Sequence, residues 1–596
     1  MKLKNTKTTV LISVFIAILA INIGFIFTTS PFSGETDQVS FLGGLKSSAT
    51  YNSTIEIDDT NPASDWATAK AAGICTGTGT SGDPYIISND LFNTTSGTVC
   101  LDISNSRKHF RVLNSDFIII GFSGGIVLDN VTNGLIEGNQ MPRNVFVGML
   151  ILNCSQIVVR DNNCSANTAG IVVSNSDHIT IDSNIVNDNS GPGINLDNCE
   201  YVDVVDNDAI ENVDAGINVN DCDFVTVSTN TIINNTIGIN IEISNNTQIL
   251  GNTVTNDGSN GIRIYQSHWC EISGNTITES TNDGIIVQES SHNLFDSNMV
   301  NDNYWGIYLV GASEFNTISK NTVNNNQIDG IYLDSCDNNI VAQNTASHNG
   351  VQGYYIATSD HIIVSGNTAY DNTENGIRLN SGANITCIDN IAYNNLNNGI
   401  RLYNIDDSRV DGNNAHHNGQ DGIRILQNSE RNVFSGNTAN FNNLSGISLL
   451  VGGCDENLIN NNDVSNNEEH GIFAYGVTNV AIVSNTANNN KINGISLSTS
   501  DGNFIFGNTA NGNVNGTYLL TSNNNIIAEN IFLNNVNCYN ETNSNNNLFS
   551  DNICTAPIIP SSGLDPFILG MIIGLAIGLG ALAAVVIFSL VRGRKK

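Results

Sequence analysis

The chain has 596 residues, with 22 Lys and Arg against 56 Asp and Glu, a formal net charge of −34 and a pI near 4.3. A surface so poor in cations excludes nucleic acid as a partner, because phosphate binding needs a basic face. An apolar content of 40% excludes wholesale disorder, and about 100 Asn beside only 8 Pro point to a repeated unit.

Two segments stand apart from the fold. Val10 to Phe27 is an apolar run behind Lys2, Lys4 and Lys7, so residues 1–30 read as a signal peptide or an uncleaved N-terminal anchor. Phe567 to Val591 gives 25 uncharged residues, followed by Arg592, Arg594, Lys595 and Lys596. This reads as a transmembrane helix at 567–591 with a cytoplasmic basic tail at 592–596. The body is therefore expected outside the cell membrane, held by a single C-terminal anchor. Eleven N-x-S/T sequons agree with an external location. Gly570, Gly574 and Gly578 lie at four-residue spacing, which would let two such helices approach as a homodimer.

Between these ends, residues 31–95 are expected to form an N-terminal cap, with Asp65 to Ala72 as a short helix. Residues 96–555 carry the repeat, and 556–566 form a stalk linker. The repeat is marked by a Gly, usually followed by Ile, at 18 positions from Gly125 to Gly516 with a mean period of 23.0 residues. A regular period over most of a chain means a solenoid. After each Gly, as in Ile377 and Leu379 or Ile400 and Leu402, aliphatic residues alternate with variable ones, the pattern of a strand with one buried face. A second strand follows, as in His178 to Ile181, and a third in segments such as Asn367 to Ala369. Three short strands per 23 residues make one coil of a parallel β-helix.

An Asn recurs in one register from Asn139 to Asn530, including Asn367, Asn390, Asn413 and Asn437. A second Asn register lies five residues later, broken only by Asp257 and Ser280. Stacked coils bring such side chains about 4.8 Å apart, where each amide can donate to the next carbonyl. These Asn are structural. Eighteen coils would make a rod on the order of 85 Å long. The predicted class is thus all-β, a right-handed parallel β-helix.

The entry segment from Gly77 to Ile87, GTGTSGDPYII, with the Gly-Ile and Asn-Thr coils after it, resembles the NosD-type right-handed β-helix family, a pectate-lyase-like branch of the carbohydrate-binding and sugar-hydrolase β-helices. The resemblance spans about residues 60 to 550. It implies right-handed coils, an extracytoplasmic location and, in many relatives, polysaccharide contact. The name-giving members are tied to copper delivery, but 5 Met and 9 His without grouped soft ligands do not carry copper over. Related epimerases and lyases carry an Asp-Pro-His-Asp constellation, which is absent here.

The outward third position of successive coils reads Tyr308, Tyr332, Tyr355, Arg378, Arg401 and Arg424. A parallel column reads Tyr370, Tyr393 and His416, with Tyr403, Glu374 and Asp421 nearby in sequence. Guanidinium forks grip carboxylate or sulfate and aromatic faces stack on sugar rings, so this face is the expected groove for a polysaccharide or envelope glycan. The competing reading is a solvated ridge whose arginines Glu374 and Asp421 neutralise. Catalysis would need His416 or His417 as base, and no catalytic residue is assigned. Fifteen acidic residues without a Lys or Arg between Arg160 and Arg263 offer oxygen ligands for Ca²⁺ or a repulsive face.

Cys154, Cys199, Cys222 and Cys336 sit six residues after their Gly, where other coils carry Ser, and read as a small-residue column. Cys75 with Cys100, and Cys538 with Cys554, are the disulfide candidates. The functional expectation is a membrane-anchored surface protein that binds glycan without catalysis. The alternatives are a structural or adhesive rod with a surface-protein partner, and a polysaccharide lyase, epimerase or hydrolase.

Overall fold

The computed structural model describes residues 49–94, 99–119, 124–142 and 146–554. The expected leader, stalk, membrane helix and basic tail lie outside these residues. Among the described residues, no helix is long and apolar enough to cross a membrane.

The described chain is an all-β parallel solenoid with three strands per turn. The Gly-Ile strands, from Ile55–Asp58 to Asn537–Thr542, form a first sheet of 21 parallel strands. The strands from Tyr85–Ser88 to Leu548–Ser550 form a second sheet of 21. The Asn-Thr segments form the third, from Thr50–Tyr51 to Ile553–Cys554, in which short strands alternate with single bridges such as Thr438 to Asp463. The solenoid therefore exceeds the eighteen coils marked by Gly. Gly125 and Gly516 are in register with Cys100 and Cys538, which take the glycine position where the Gly-Ile mark is missing.

The glycine is required by space. A Cβ on Gly376 would lie 2.7 Å from the Gly399 carbonyl oxygen, 2.8 Å from Asn395 Nδ2 and 3.0 Å from Ala392 Cβ. Only a residue without a side chain lets the ladder amide and the next coil approach that closely. The following residue points inward, so Ile377, Ile400 and Ile423 stack in register with no exposure. Tyr354 interrupts that column and remains buried because its hydroxyl donates to the Asn344 carbonyl at 2.6 Å.

The first Asn register forms a continuous amide ladder. Asn390 donates its backbone N–H and its Nδ2 to Asn413 Oδ1 at 3.0 and 2.9 Å, and Nδ2 also donates to the Val364 carbonyl at 2.9 Å. Its own Oδ1 accepts the same pair from Asn367 at 2.9 and 3.0 Å. Each side chain thus ties three coils, and every amide group finds a partner at zero exposure. The ladder reaches one coil further than its sequence register, to Asn552, and Ser115 continues it at the other end. The second register repeats the pattern, with Asn372 donating to Asn395 Oδ1 at 3.2 and 3.0 Å, but it leaves Asn167 Oδ1 and Asn490 Nδ2 without a partner. The Cys and Ser column is a third ladder of backbone N–H to side chain, as in Cys154 to Ser176 and Ser244 to Ser267.

At the N-terminal end the helix Trp66–Ala71, with Asp65 Oδ1 accepting the Thr68 N–H at 2.7 Å, lays Trp66 flat on Tyr85 at 4.7 Å. Trp66 is buried and its Nε1 donates to Ser106 Oγ at 3.0 Å, which covers the edge of the first coils. A disulfide joins Cys538 to Cys554 across the last coil. The expected Cys75–Cys100 bond is not formed. Cys75 packs under the helix, 3.9 Å from the Trp66 carbonyl oxygen, whereas Cys100 sits at the glycine position beside Thr94 Oγ1 at 3.5 Å. Cys199 and Cys222 also remain free thiols.

Replacing Asn413 by Ala would strand the Asn390 amide and the Cys387 carbonyl, which accepts from Asn413 Nδ2 at 2.9 Å. The expected loss is about 2–4 kcal/mol in urea denaturation. The exposed Thr281→Ala should stay within about 0.5 kcal/mol of the parent protein.

Candidate functional site

The variable third position of the first-sheet strands faces outward because its neighbours on either side face the core. Register pairs Tyr308 with Tyr332, Tyr355, Arg378, Arg401 and Arg424 in six successive coils. Tyr308 and Tyr332 stack at 4.8 Å and 3°, and Tyr332 and Tyr355 at 4.8 Å and 6°. The Arg378 guanidinium lies 4.6 Å from the Tyr355 centroid, and Trp305 leans on Tyr308 at 5.3 Å. The inner tyrosine faces are therefore covered by each other and the outer ones by Arg378 and Trp305. The ridge presents ring edges and hydroxyls, so stacking of sugars on these faces is closed off. Burial, followed by the Asp334 charge, pushes the Tyr308 hydroxyl up to about 12, and it stays a hydrogen-bond donor.

The three guanidiniums that follow are only partly compensated. Arg424 lies 3.6 Å from Asp421 and donates to Gln420 Oε1 at 3.0 Å. Glu374 is engaged by Gln352 Nε2 at 2.6 Å instead of by an arginine. Among the described residues, Arg378 and Arg401 have no carboxylate within ion-pair distance, and the buried Nε atoms of all three arginines lack a hydrogen-bond partner. Burial first, then repulsion from Arg378 and Arg424, holds the Arg401 pKa below its usual value. Arg401 and Arg424 line an open cleft of ≈ 260 Å³ with Asn397, Asn398, Gln420 and Leu426.

Tyr370, Tyr393 and His416 belong to the third sheet, separated from the arginine strands by the turn that carries Glu374. They stack at 5.0 and 5.4 Å. The Nδ1 atoms of His416 and His417 lie 2.8 Å apart, so these nitrogens are turned on one another, and burial followed by His417 lowers the His416 pKa. Tyr403 lies in the first sheet one strand position beyond Leu402, in register with Asn380 and Leu426.

A further aromatic column escaped the sequence reading. His178, Tyr201 and Phe224 stack at 5.1 Å per step, and Trp269, His292 and Phe315 at 4.1 and 5.2 Å. All six stand where the chain enters the second sheet, His178, Tyr201 and Phe224 as the second residue of strands Asp177–Asp182, Glu200–Val205 and Asp223–Ser228, and Trp269, His292 and Phe315 in the turn two residues before the next strands. The signal was present in the same 23-residue register, two residues after the Cys and Ser column.

Residues 260–414, 348–476, 393–532 and 440–562 match the family described as right handed beta helix region. The chain belongs to the right-handed β-helix family. Residues 76–249 of this β-helix also match the NosD family, described as periplasmic copper-binding protein. Among solved structures it is similar to the periplasmic alginate epimerase AlgG (14% identity, 59% of this chain and 78% of that one, TM-score 0.28). It is also similar to the A-module of the Azotobacter vinelandii mannuronan C-5 epimerase AlgE4 (14%, 68% and 90%, 0.27) and to the Streptococcus pneumoniae surface protein and adhesin PfbA (9%, 51% and 89%, 0.27). At these values nothing about activity follows from the likeness. No curated protein matches the chain.

Among the described residues, the side chains present do not fit a copper donor set. Burial pushes the thiols of Cys75, Cys100 and Cys454 up to about 11 and those of Cys154, Cys270, Cys336 and Cys387 up to about 12, whereas a ligating cysteine must be a thiolate. Met141 and Met149 are core residues, and of the described methionines only Met299 is exposed. Among the described residues, no three His, Cys, Asp or Glu side chains come together to hold a metal ion, the acidic coils considered for Ca²⁺ included.

Asp257 and Ser280 break the second amide ladder, and Asp257 Oδ2 and Ser280 Oγ make no hydrogen bond within the protein. Burial raises the Asp257 carboxyl to about 7. A carboxyl whose pKa is higher folded than unfolded favours folding below its unfolded value near 3.9, and this contribution is lost as pH rises through 7. Asp257→Asn should therefore raise stability by roughly 2–4 kcal/mol at pH 8 and change little below pH 4, as read by thermal melts across pH.

Proposed function

We propose that this β-helix is displayed outside the cell, anchored by its C-terminal apolar segment, and holds an acidic polysaccharide without cleaving it. The observation that carries the reading is the arginine ridge. Three guanidiniums lie one coil apart, two of them without a carboxylate contact among the described residues and all with an unpartnered buried Nε. Like charges at that spacing repel, and a polyanion laid along the ridge would relieve the repulsion with charge-assisted bonds. The periplasmic description of the NosD family supports an extracytoplasmic site of action. The tyrosine hydroxyls of the ridge serve as neutral donors beside the arginines.

The test is retention of the protein on polygalacturonate against a neutral glucan, with release of new chain ends scored in parallel. Polygalacturonate should retain the protein, retention should fall with added salt, and Arg378→Ala with Arg401→Ala should lower affinity by roughly tenfold or more. Retention that ignores these substitutions would favour the adhesive rod, and new chain ends would make the protein an enzyme.

A further inference from the structure

The aromatic column where the chain passes from the first to the second sheet is built against local preference. His178, Tyr201, Phe224, Trp269, His292 and Phe315 have φ between 53° and 63°, the left-handed region. Elsewhere the same position holds Asn338, Asn384, Asn479, Gly502 and Asn524, residue types that adopt this conformation readily, and also the longer Gln156, His361, Asp407, Arg431 and Glu456, so six stacked aromatic residues are one choice among several. A bulky residue there costs about 1–2 kcal/mol. Burial does not offset the cost, because Tyr201 and Phe224 are 48% exposed, Phe315 51% and Trp269 61%. One turn position earlier in the coil of Asn246, the β-branched Ile243 is also left-handed at φ 50° and 48% exposed.

The column has a gap of one coil. Phe224 stacks on Tyr201, Trp269 stacks on His292, and between Phe224 and Trp269 the register places Asn246. Two coil rises put the facing rings about 9.6 Å apart. The short Asn246 side chain is exposed and makes no hydrogen bond within the described protein, leaving a free amide at the base of the gap. A flat group in van der Waals contact with both rings would fill only about 7–8 Å. A puckered six-membered ring, with hydrogens projecting from both faces, makes up the difference.

The charge of these coils selects further. The fifteen acids and absent cations between Arg160 and Arg263 disfavour a polyanion there. Asp223 precedes Phe224 and accepts the Asn245 N–H at 3.1 Å, while Glu271 follows Trp269 and accepts from Gln248 Nε2 at 3.1 Å. Such acceptors suit a ligand rich in hydroxyl donors. We infer that Phe224 and Trp269 form a subsite for one pyranose ring of a neutral glycan, with Asn246 as its floor, separate from the arginine ridge and independent of its function.

The test follows Trp269 fluorescence in the full-length protein on titration with cellohexaose, mannohexaose and chitohexaose, with hexagalacturonate and hexaarginine as charged controls. At least one neutral hexasaccharide should give a saturable change that disappears in Trp269→Phe, where the reporter is lost, and calorimetric binding should weaken by roughly tenfold in Phe224→Ala. Asn246→Phe fills the gap with a residue type that neighbouring coils already carry at this position, so it should abolish binding while lowering the melting temperature by no more than a few degrees. Arg378→Ala with Arg401→Ala should leave neutral binding unchanged. The subsite is overturned if no neutral hexasaccharide binds, if only hexaarginine or hexagalacturonate does, or if Asn246→Phe binds as well as the parent.

Discussion

The side-chain amide at a coil corner, donating to the amide one coil on, is the contact on which the rest of this β-helix depends. A chain of 23-residue coils turns three times per coil, and every turn leaves backbone groups that no sheet ladder can satisfy. Asn answers this because one side chain carries an acceptor and two donors. In Asn390 the acceptor closes the preceding coil and the donors reach the following coil and a strand carbonyl. All amides of the ladder point the same way, so the bonds polarise one another in the dry interior. Removing water from so many polar groups is tolerable only because none along the unbroken ladder lacks a partner.

That corner dictates the other repeated features. The amide of the second ladder, Asn395 on the next coil, takes the space a Cβ would need on Gly376, which is why Gly376 and its equivalents carry no side chain. The residue before each ladder Asn turns left-handed, as at Asp389 with φ 55° and Gly412 with φ 64°. With corners fixed, the strands between them stay in register, and any side chain facing outward is repeated about 4.8 Å away. Columns of like residues are therefore the natural product of this architecture. A tyrosine column closes its own faces, as at Tyr332, whereas an arginine column accumulates charge that it cannot itself dissipate. This difference makes the arginine ridge the more open of the two halves of the candidate site.

Much of this was legible without coordinates. The Gly-Ile spacing, the alternation after it, both Asn registers and the Cys and Ser column follow from period alone, because each is a one-dimensional pattern that a solenoid converts directly into a stack. The coil count fell short since Cys100 and Cys538 occupy the glycine position and hide the terminal coils. Cys75 and Cys100 lie near the cap boundary in sequence, but the helix draws one under Trp66 while the sheet holds the other.

The sequence by itself determined the solenoid, its period, the ladder positions and the membership of each outward column, because those depend only on which residues recur every coil. The tertiary structure decided what each column can do. It showed that the Tyr308 to Tyr355 faces are covered, that Glu374 is engaged by Gln352 and not by an arginine, and that Tyr370 and Arg378 stand on different sheets. It also exposed left-handed aromatic residues around a one-coil gap. These are properties of orientation and partner choice, set by side-chain geometry and backbone handedness at each turn, and a periodic pattern carries neither.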